Sequence, residues 1–365
     1  MNIGSLRQLF AAEIDEVDAA LAEYLATYAD PPGHYGLIRY HLGFADERLA
    51  PTPGARQPRG KRLRAIVCML IGRAIGAPRN ALTTLMLASE MLHNASLVHD
   101  DIEDEEPLRW GRPTVWSLSG TSQAINIGDA LIGMTFDLLL RLRQDGVPPD
   151  VVHRVLESYV RAYLRMGEGQ HLDLLQQARL DIGVDRYLDM ISRKTGAALE
   201  GFCGATAIVG GGTAQVEGSY RRFGAAFGML YQIMDDIGGV WGELDDTGKI
   251  AARDIMLRKT TLPLLYGVEH GSPALRKLLL EPHDTKAAFT EAESEHIVAE
   301  LAAVGVEDLC RAVALRHRDA ALAELRGAGD GAAEQSREHM MLAKMVEVCA
   351  QARPRVSAHP EAERV

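Results

Sequence analysis

The chain reads as all-α, a set of packed helices with several long ones at the centre. Three observations predict this. Hydrophobic residues make up 47% of the 365 residues, enough for a sizeable core, while aromatics are only 5%. Ala and Leu are abundant, which favours helix over strand. Apolar residues recur at helical spacing along most of the chain, and no segment alternates in the strand manner.

Each element follows from its own pattern. Leu6 to Tyr28 alternates apolar and acidic residues at helical spacing; Pro31-Pro32-Gly33 and Pro51 to Gly60 then break the chain. Lys61 to Ile75 predicts a helix that stops at Gly76-Ala77-Pro78. Asn80 to Glu106 predicts a long helix, apolar on most faces and therefore buried. Ile125 to Leu142 is similar and ends before Gly146-Val147-Pro148-Pro149. Asp150 to Gln177, Val184 to Ile208 and Glu217 to Val240 continue the series, with Gly210-Gly211-Gly212 separating the last two. Thr261 to Glu269 and Thr290 to Val304 are shorter. The second opens with Thr290-Glu291-Ala292-Glu293, a capping-box pattern, and stops at Gly305. A final pair, Leu309 to Leu325 and Glu334 to Ala352, turns at Gly327 to Gly331. No linker is long enough to divide the chain. Residues 1–352 are expected to form one domain, and 353–365, which include Pro354 and Pro360, a disordered tail.

Bulk properties narrow the function. A net charge of −11 argues against a general nucleic-acid binder. An anionic substrate would then need locally concentrated Lys and Arg, or metal ions. Cys68, Cys203, Cys310 and Cys349 show no paired spacing, which fits a reducing cytosol rather than a disulfide framework or zinc site. Met1 to Ser5 lacks the basic and apolar regions of a signal peptide, and no uncharged apolar run is long enough to span a bilayer. A cytoplasmic protein is expected.

The chemistry concentrates in Leu97-Val98-His99-Asp100-Asp101-Ile102-Glu103-Asp104 and the basic turn after it, Arg109-Trp110-Gly111-Arg112-Pro113-Thr114. On a helix Asp100 and Asp104 sit one turn apart and point the same way. Like charges held so close repel unless something positive lies between them. Mg²⁺ suits that place, because it prefers a couple of carboxylates plus phosphate oxygens. An isolated acidic pair is more often a solvated face, but this one projects from the mostly apolar run Met86 to Val98. Arg109 and Arg112 add planar forks of donors suited to phosphate. Upstream, Gly60-Lys61-Arg62-Leu63-Arg64 opens a helix, where backbone N–H groups attract anions and Lys61 and Arg64 lie one turn apart. An exposed basic helix start is the plainer alternative. His93 lies two turns before Asp100, near the same face. A second acidic pair stands at Asp235-Asp236.

Together these residues resemble the trans-isoprenyl diphosphate synthases. Gly169-Gln170-His171-Leu172-Asp173, Lys194-Thr195-Gly196-Ala197, Tyr231-Gln232-Ile233-Met234-Asp235-Asp236, Thr247-Gly248-Lys249 and Arg258-Lys259-Thr260-Thr261-Leu262-Pro263 continue the likeness in order, from about Gly60 to Tyr266. The resemblance implies a bundle of antiparallel helices around a deep central cavity, usually as a homodimer. It implies transfer of a prenyl group from an allylic prenyl diphosphate to isopentenyl diphosphate with three Mg²⁺ ions. Asp100 and Asp104 would bind metal from one wall and Asp235 from the other. Arg109, Lys194, Lys259 and Lys249 would hold the allylic diphosphate; Lys61, Arg64 and His93 would hold isopentenyl diphosphate. Gln170, Thr195 and Gln232 would turn oxygens toward the carbocation.

Three positions depart from the family pattern. Trp110 stands where a second arginine is usual, with Arg112 the nearest replacement. Gly239 stands where the later acidic motif usually has a third Asp, so metal binding there would rest on Asp235, with Asp236 and Glu243 nearest. Ala252 replaces a glycine between Lys249 and Asp254. Chain length is argued from the helix before Asp100. Ala95 and Ser96 are small, where short-chain members place an aromatic floor, and Met91 and Leu92 lie about 5 Å deeper. The expected product is C20, geranylgeranyl diphosphate. The alternatives are a terpene synthase or cyclase that ionises a prenyl diphosphate without isopentenyl diphosphate, and a modulatory partner subunit.

Overall fold

A computed structural model describes residues 3–52, 60–177, 179–242, 252–280, 288–328 and 336–351. The described elements are helical apart from one two-residue hairpin and an isolated bridge, Ala45 to Pro51. In chain order the helices are α1 Ile3–Leu9, α2 Ala11–Ala26, α3 Pro32–Leu42, α4 Leu63–Ala74 and α5 Arg79–Glu103. The hairpin β1 Leu108–Arg109 and β2 Arg112–Pro113 follows, then α6 Val115–Ser119, α7 Thr121–Arg141, α8 Pro149–Gln176 and α9 Val184–Ile191. A π-helical turn, Ser192–Gly196, leads into α10 Ala197–Val209 and α11 Ala214–Trp241. The rest are α12 Arg253–Met256, α13 Leu262–His270, α14 Pro273–Leu280, α15 Glu291–Ala303, α16 Val306–Ala328 and α17 Arg337–Ala350. Lys249, Glu243 and the expected tail at 353–365 lie outside the described residues.

The core is built on the long apolar helices. α5 packs against α4 and α7; α10 packs between α8 and α11; α16 lies along α11. Met91, Leu92 and Ala95 of α5 are buried with Leu131 of α7 and Phe202 of α10. The capping box is present: the Thr290 hydroxyl accepts from the Glu293 N–H, and the Glu293 carboxylate accepts from the Thr290 N–H. No helix among the described residues is long and apolar enough to cross a membrane.

Several elements differ from expectation for local reasons. The first predicted helix is two, separated at Phe10, which is buried. The Pro-Pro pair starts a helix instead of ending one. Pro32 occupies its first turn, where the missing N–H costs nothing. The segment from Val184 is interrupted by the π turn. The hairpin pairs Arg109 with Arg112 around Trp110 and Gly111, at φ 52° and 76°. Two positive φ values are the signature of a tight hairpin turn, a conformation that disfavours a bulky residue such as Trp.

Candidate active site

The C-terminal end of α5 carries the main acidic group. Asp100 lies in its last turn, and the Asp104 N–H caps it by donating to the Asp100 carbonyl at 2.9 Å. That end holds the negative pole of the helix, and no basic residue lies in its last turn. Cations come from elsewhere in the chain. Lys194 Nζ donates to Asp100 Oδ1 at 2.9 Å and to Asp173 Oδ2 at 2.6 Å. Arg109 donates from Nε to Asp101 Oδ1 at 2.7 Å and from Nη2 to Asp100 Oδ2 at 3.4 Å. Lys259 Nζ lies 3.2 Å from Glu106 Oε1 and 3.9 Å from Asp104 Oδ2. Gln170 donates to Glu103 Oε2 at 2.6 Å, and Gln177 to Asp104 Oδ1 at 2.9 Å.

These neighbours separate the acids electrostatically. Burial alone would raise the Asp100 carboxyl, but Lys194 and Arg109 outweigh it and hold it below its usual range. Asp104 is pushed up to about 6 by burial and by Asp100. Burial takes Asp101 to about 7 against the pull of Arg109. Burial opposes the Lys194 charge, yet Asp100 and Asp173 raise its pKa.

Lys194 is delivered by backbone geometry. It sits in the π turn, a shape found often at functional sites. Gly169 of α8 backs that turn so closely that a Cβ there would lie 2.2 Å from the Lys194 nitrogen. Gly228 of α11 meets the turn from the other side, with a notional Cβ 2.8 Å from the Gly196 Cα. The next residue, Thr195, donates its hydroxyl to Gln232 Oε1 at 3.0 Å, and Gln232 Nε2 donates to Asp236 Oδ1 at 3.1 Å. Asp236 also accepts from the Tyr187 hydroxyl and from the Leu262 N–H. Burial pushes Asp236 up to about 7 in spite of the bonds from Tyr187 and Gln232. Asp235, one residue earlier, is only partly buried. Downstream, Ala252 adopts φ 57°, the left-handed conformation that explains why a glycine is usual there.

A second basic group forms where α4 begins. Lys61 Nζ lies 5.6 Å from the Tyr231 ring centroid. Arg64 lies near Tyr231 and Glu90, and burial lowers its pKa on balance. Burial, then Arg64, hold His93 well below its usual value, so its ring is neutral near pH 7. Arg62 of the same motif turns inward, to Asp18 at 3.0 Å and the Leu42 carbonyl at 2.6 Å. Trp110 sits over this group: a Cβ on Gly60 would lie 3.3 Å from its indole. Its ring centroid is 6.2 Å from that of His41. Arg112 does not replace the missing guanidinium, because it is buried against the carbonyls of Tyr40 at 3.1 Å and Ala45 at 2.8 Å. Its interior carbonyl partners outcompete any surface role.

Along α5, Met91 and Leu92 are 0% exposed and Ala95 is 1% exposed. Ser96 is partly exposed and donates its hydroxyl to the His93 carbonyl at 2.7 Å. Asp104, Asp100, Ser96 and His93 are thus partly exposed, whereas Met91 and Leu92 are buried.

Several contributors carried no assignment from sequence. Asp173 holds Lys194, Asp101 holds Arg109, Glu106 meets Lys259, and His41 underlies Trp110. Asp173 and Asp101 had a usable signal, since both lie inside the quoted motifs. His41 had none, because it lies between the two Pro/Gly breaks, in a stretch to which the pattern assigns no element.

Known proteins resemble this chain over most of its length. The Polyprenyl synthetase family model matches residues 51–301. The chain is 32% identical over 270 residues to a (2E,6E)-farnesyl diphosphate synthase of Mycobacterium bovis, covering 74% of this chain and 73% of the relative. It is 32% identical over 287 residues to a geranylgeranyl diphosphate synthase of Mycobacterium tuberculosis, covering 78% and 79%. A solved polyprenyl synthetase from Streptomyces coelicolor A3(2) superposes with a TM-score of 0.79 at 27% identity, covering 94% of this chain and 99% of that one. A geranylgeranyl pyrophosphate synthetase from Pyrococcus horikoshii gives 0.80 at 26% identity, covering 95% and 99%. With the acidic and basic motifs inside the matched span, the chain belongs to the polyprenyl synthetase family and is a trans-prenyltransferase.

Proposed function

We propose that this enzyme condenses an allylic prenyl diphosphate with isopentenyl diphosphate, using Mg²⁺, to give geranylgeranyl diphosphate. The observation that carries it is the meeting of Asp100 and Asp104 with Lys194, Lys259 and Arg109, each cation from a different element. The acidic set fits Mg²⁺: the donors are hard carboxylate oxygens at helix ends that favour positive charge. Asp100, Asp104 and Asp235 would hold the ions. Bound Mg²⁺ supplies neutralisation of the charge that develops on departing diphosphate.

The chain's own groups do the rest. Lys194, Arg109 and Lys259 bind and orient the diphosphate and stabilise it as it leaves. Gln170 donates its amide N–H to Glu103, which leaves its oxygen free to face a cation. Thr195 and Gln232, joined by a hydrogen bond, present oxygens without a nucleophile strong enough to trap it. Lys61, Arg64 and neutral His93 hold isopentenyl diphosphate. The apolar packing around them excludes water. The small Ala95 and Ser96, with the first large buried side chains, Leu92 and Met91, lying about 12 Å along α5 from Asp100, support a C20 product over a C15 one. A homodimer is supported by apolar side chains left exposed on neighbouring helices: Ile125 and Leu140 on α7, and Leu164 and Leu175 on α8.

Trp110 favours one competing function. An indole in place of a guanidinium suits an enzyme that ionises a prenyl diphosphate without isopentenyl diphosphate, because an aromatic face stabilises a cation. One experiment separates the two. The protein is incubated with Mg²⁺ and dimethylallyl, geranyl, farnesyl or geranylgeranyl diphosphate, with and without isopentenyl diphosphate. Longer prenyl diphosphates formed only with isopentenyl diphosphate are expected; a hydrocarbon or alcohol formed without it overturns elongation.

A further inference from the structure

The later acidic motif is short of one carboxylate, since Gly239 follows Asp235 by one helical turn on the same face of α11. The space that a side chain at 239 would take is nevertheless filled. A Cβ built on Gly239 would lie 1.8 Å from Oδ2 of Asp254, 2.6 Å from its Cγ and 3.3 Å from its Cβ. The Asp254 carboxylate therefore stands one turn along from Asp235, on the face where the motif ends. It arrives from α12, on a buried residue. Two backbone bonds fix that short helix: the Met256 N–H donates to the Ala252 carbonyl, and the Lys259 N–H to the Asp254 carbonyl, each at 2.9 Å.

We propose that Asp254 supplies, from α12, the carboxylate that α11 lacks at Gly239, and so completes the Asp235 wall of the metal site. The inference rests on the metal role proposed for Asp235. It gives Gly239 a reason: a side chain at 239 and the Asp254 carboxylate exclude each other.

The test moves the carboxylate back. Gly239→Asp, Gly239→Ala, Asp254→Asn and the double variant Asp254→Gly with Gly239→Asp are compared with the wild type. Two quantities are read: the rise in Tm caused by Mg²⁺ with inorganic diphosphate, and the half-saturating Mg²⁺ concentration for turnover. Asp254→Asn and Gly239→Ala are expected to shrink the Tm rise and to raise the half-saturating Mg²⁺ about ten- to a hundredfold. The double variant is expected to recover most of both. A purely structural role for Asp254 would lower the ligand-free Tm of Asp254→Asn but leave its Mg²⁺-induced rise intact. An Asp254→Asn protein with a full Mg²⁺ response, or a double variant no better than the worse single, overturns the proposal. A wild-type protein with no Mg²⁺-dependent rise overturns the metal role of Asp235 and the Asp254 proposal with it.

Discussion

Gly169→Ala should damage this enzyme although alanine is the better helix former. In the interior of α8 the exchange alone is worth about 1 kcal/mol in favour of alanine. The added Cβ, however, would lie 2.2 Å from the Lys194 nitrogen, 2.6 Å from its Cα and 2.8 Å from the Arg193 carbonyl carbon. All three are backbone atoms and cannot rotate aside. Reaching ordinary contact near 3.5 Å requires the π turn to retreat by about 1 Å. Overpacking of that kind costs about 1–3 kcal/mol, enough to cancel or reverse the helix gain. The larger effect is on chemistry. Lys194 holds Asp100 at 2.9 Å and Asp173 at 2.6 Å, and a shift of about 1 Å at such a group costs about a hundredfold in turnover. Gly218→Ala on α11 is the control, because the nearest atom there is Nη1 of the flexible Arg222, at 3.1 Å. Thermal unfolding and steady-state kinetics with an allylic diphosphate and isopentenyl diphosphate measure both effects. If Gly169→Ala matches Gly218→Ala in Tm and keeps wild-type kcat, then Gly169 does not position Lys194.

Other perturbations test separate parts of the site. Trp110→Arg keeps the positive-φ backbone and restores a charge-assisted contact worth about 1.5–3 kcal/mol, so KM for isopentenyl diphosphate should fall about tenfold or more; an unchanged KM with lost turnover counts against it. Ser96→Phe should shorten the product if the tail runs along α5, and an unaltered product distribution in a chromatographic assay would show that it runs elsewhere. His41 is depressed from 6.5 to about 3, by burial first and then by Arg109. Its neutral form therefore supports folding fully above pH 6.5, and that support is lost as pH falls toward 3. Between pH 7 and 5 the loss is about 2 kcal/mol. His41→Gln should remove that part of the acid sensitivity in urea titrations at the two pH values; an equal fall in both proteins refutes it.

Sequence pattern carried the long helices because each buries a broad apolar face, a local property that periodicity reports. It did not carry the hairpin, whose strands have two residues each and so show no alternation. Nor did it carry the π turn, which is set by the clasp of Gly169 and Gly228 from two other helices. The acids and bases of the site were visible as motifs, but which partner each takes was not. Arg112 and Arg62 share a sequence neighbourhood with Arg109 and Lys61, yet both are buried on carbonyls or carboxylates of the N-terminal segment. Charge and spacing are alike in the sequence for all four; only the three-dimensional neighbours separate them. Asp254 is the extreme case, since its relation to Gly239 joins two elements that no local pattern connects.

The placement of the acids has its own physical logic. α5, α8 and α11 are the long helices that bring Asp100 and Asp104, Asp173, and Asp235 and Asp236 close to their C-terminal ends, and none of the three has a basic residue in its last turn. A carboxylate at that end is unfavourable, by about 0.3–1 kcal/mol each. A chain selected for stability alone would put Lys or Arg there. Here the cations instead come from outside those last turns: Arg109 on a hairpin, Lys194 on a π turn, Lys259 beyond α12. Each is free to exchange a carboxylate for a phosphate oxygen without unwinding a helix. Several helix poles and their acids thus add to one negative region that is under-neutralised by design. Under the proposed function, a diphosphate accompanied by divalent cations would satisfy both halves at once, its metals meeting the acids while its oxygens meet the cations. Either half alone would be left with unbalanced charge, which is why the proposed site joins acidic helix ends to basic side chains from other elements.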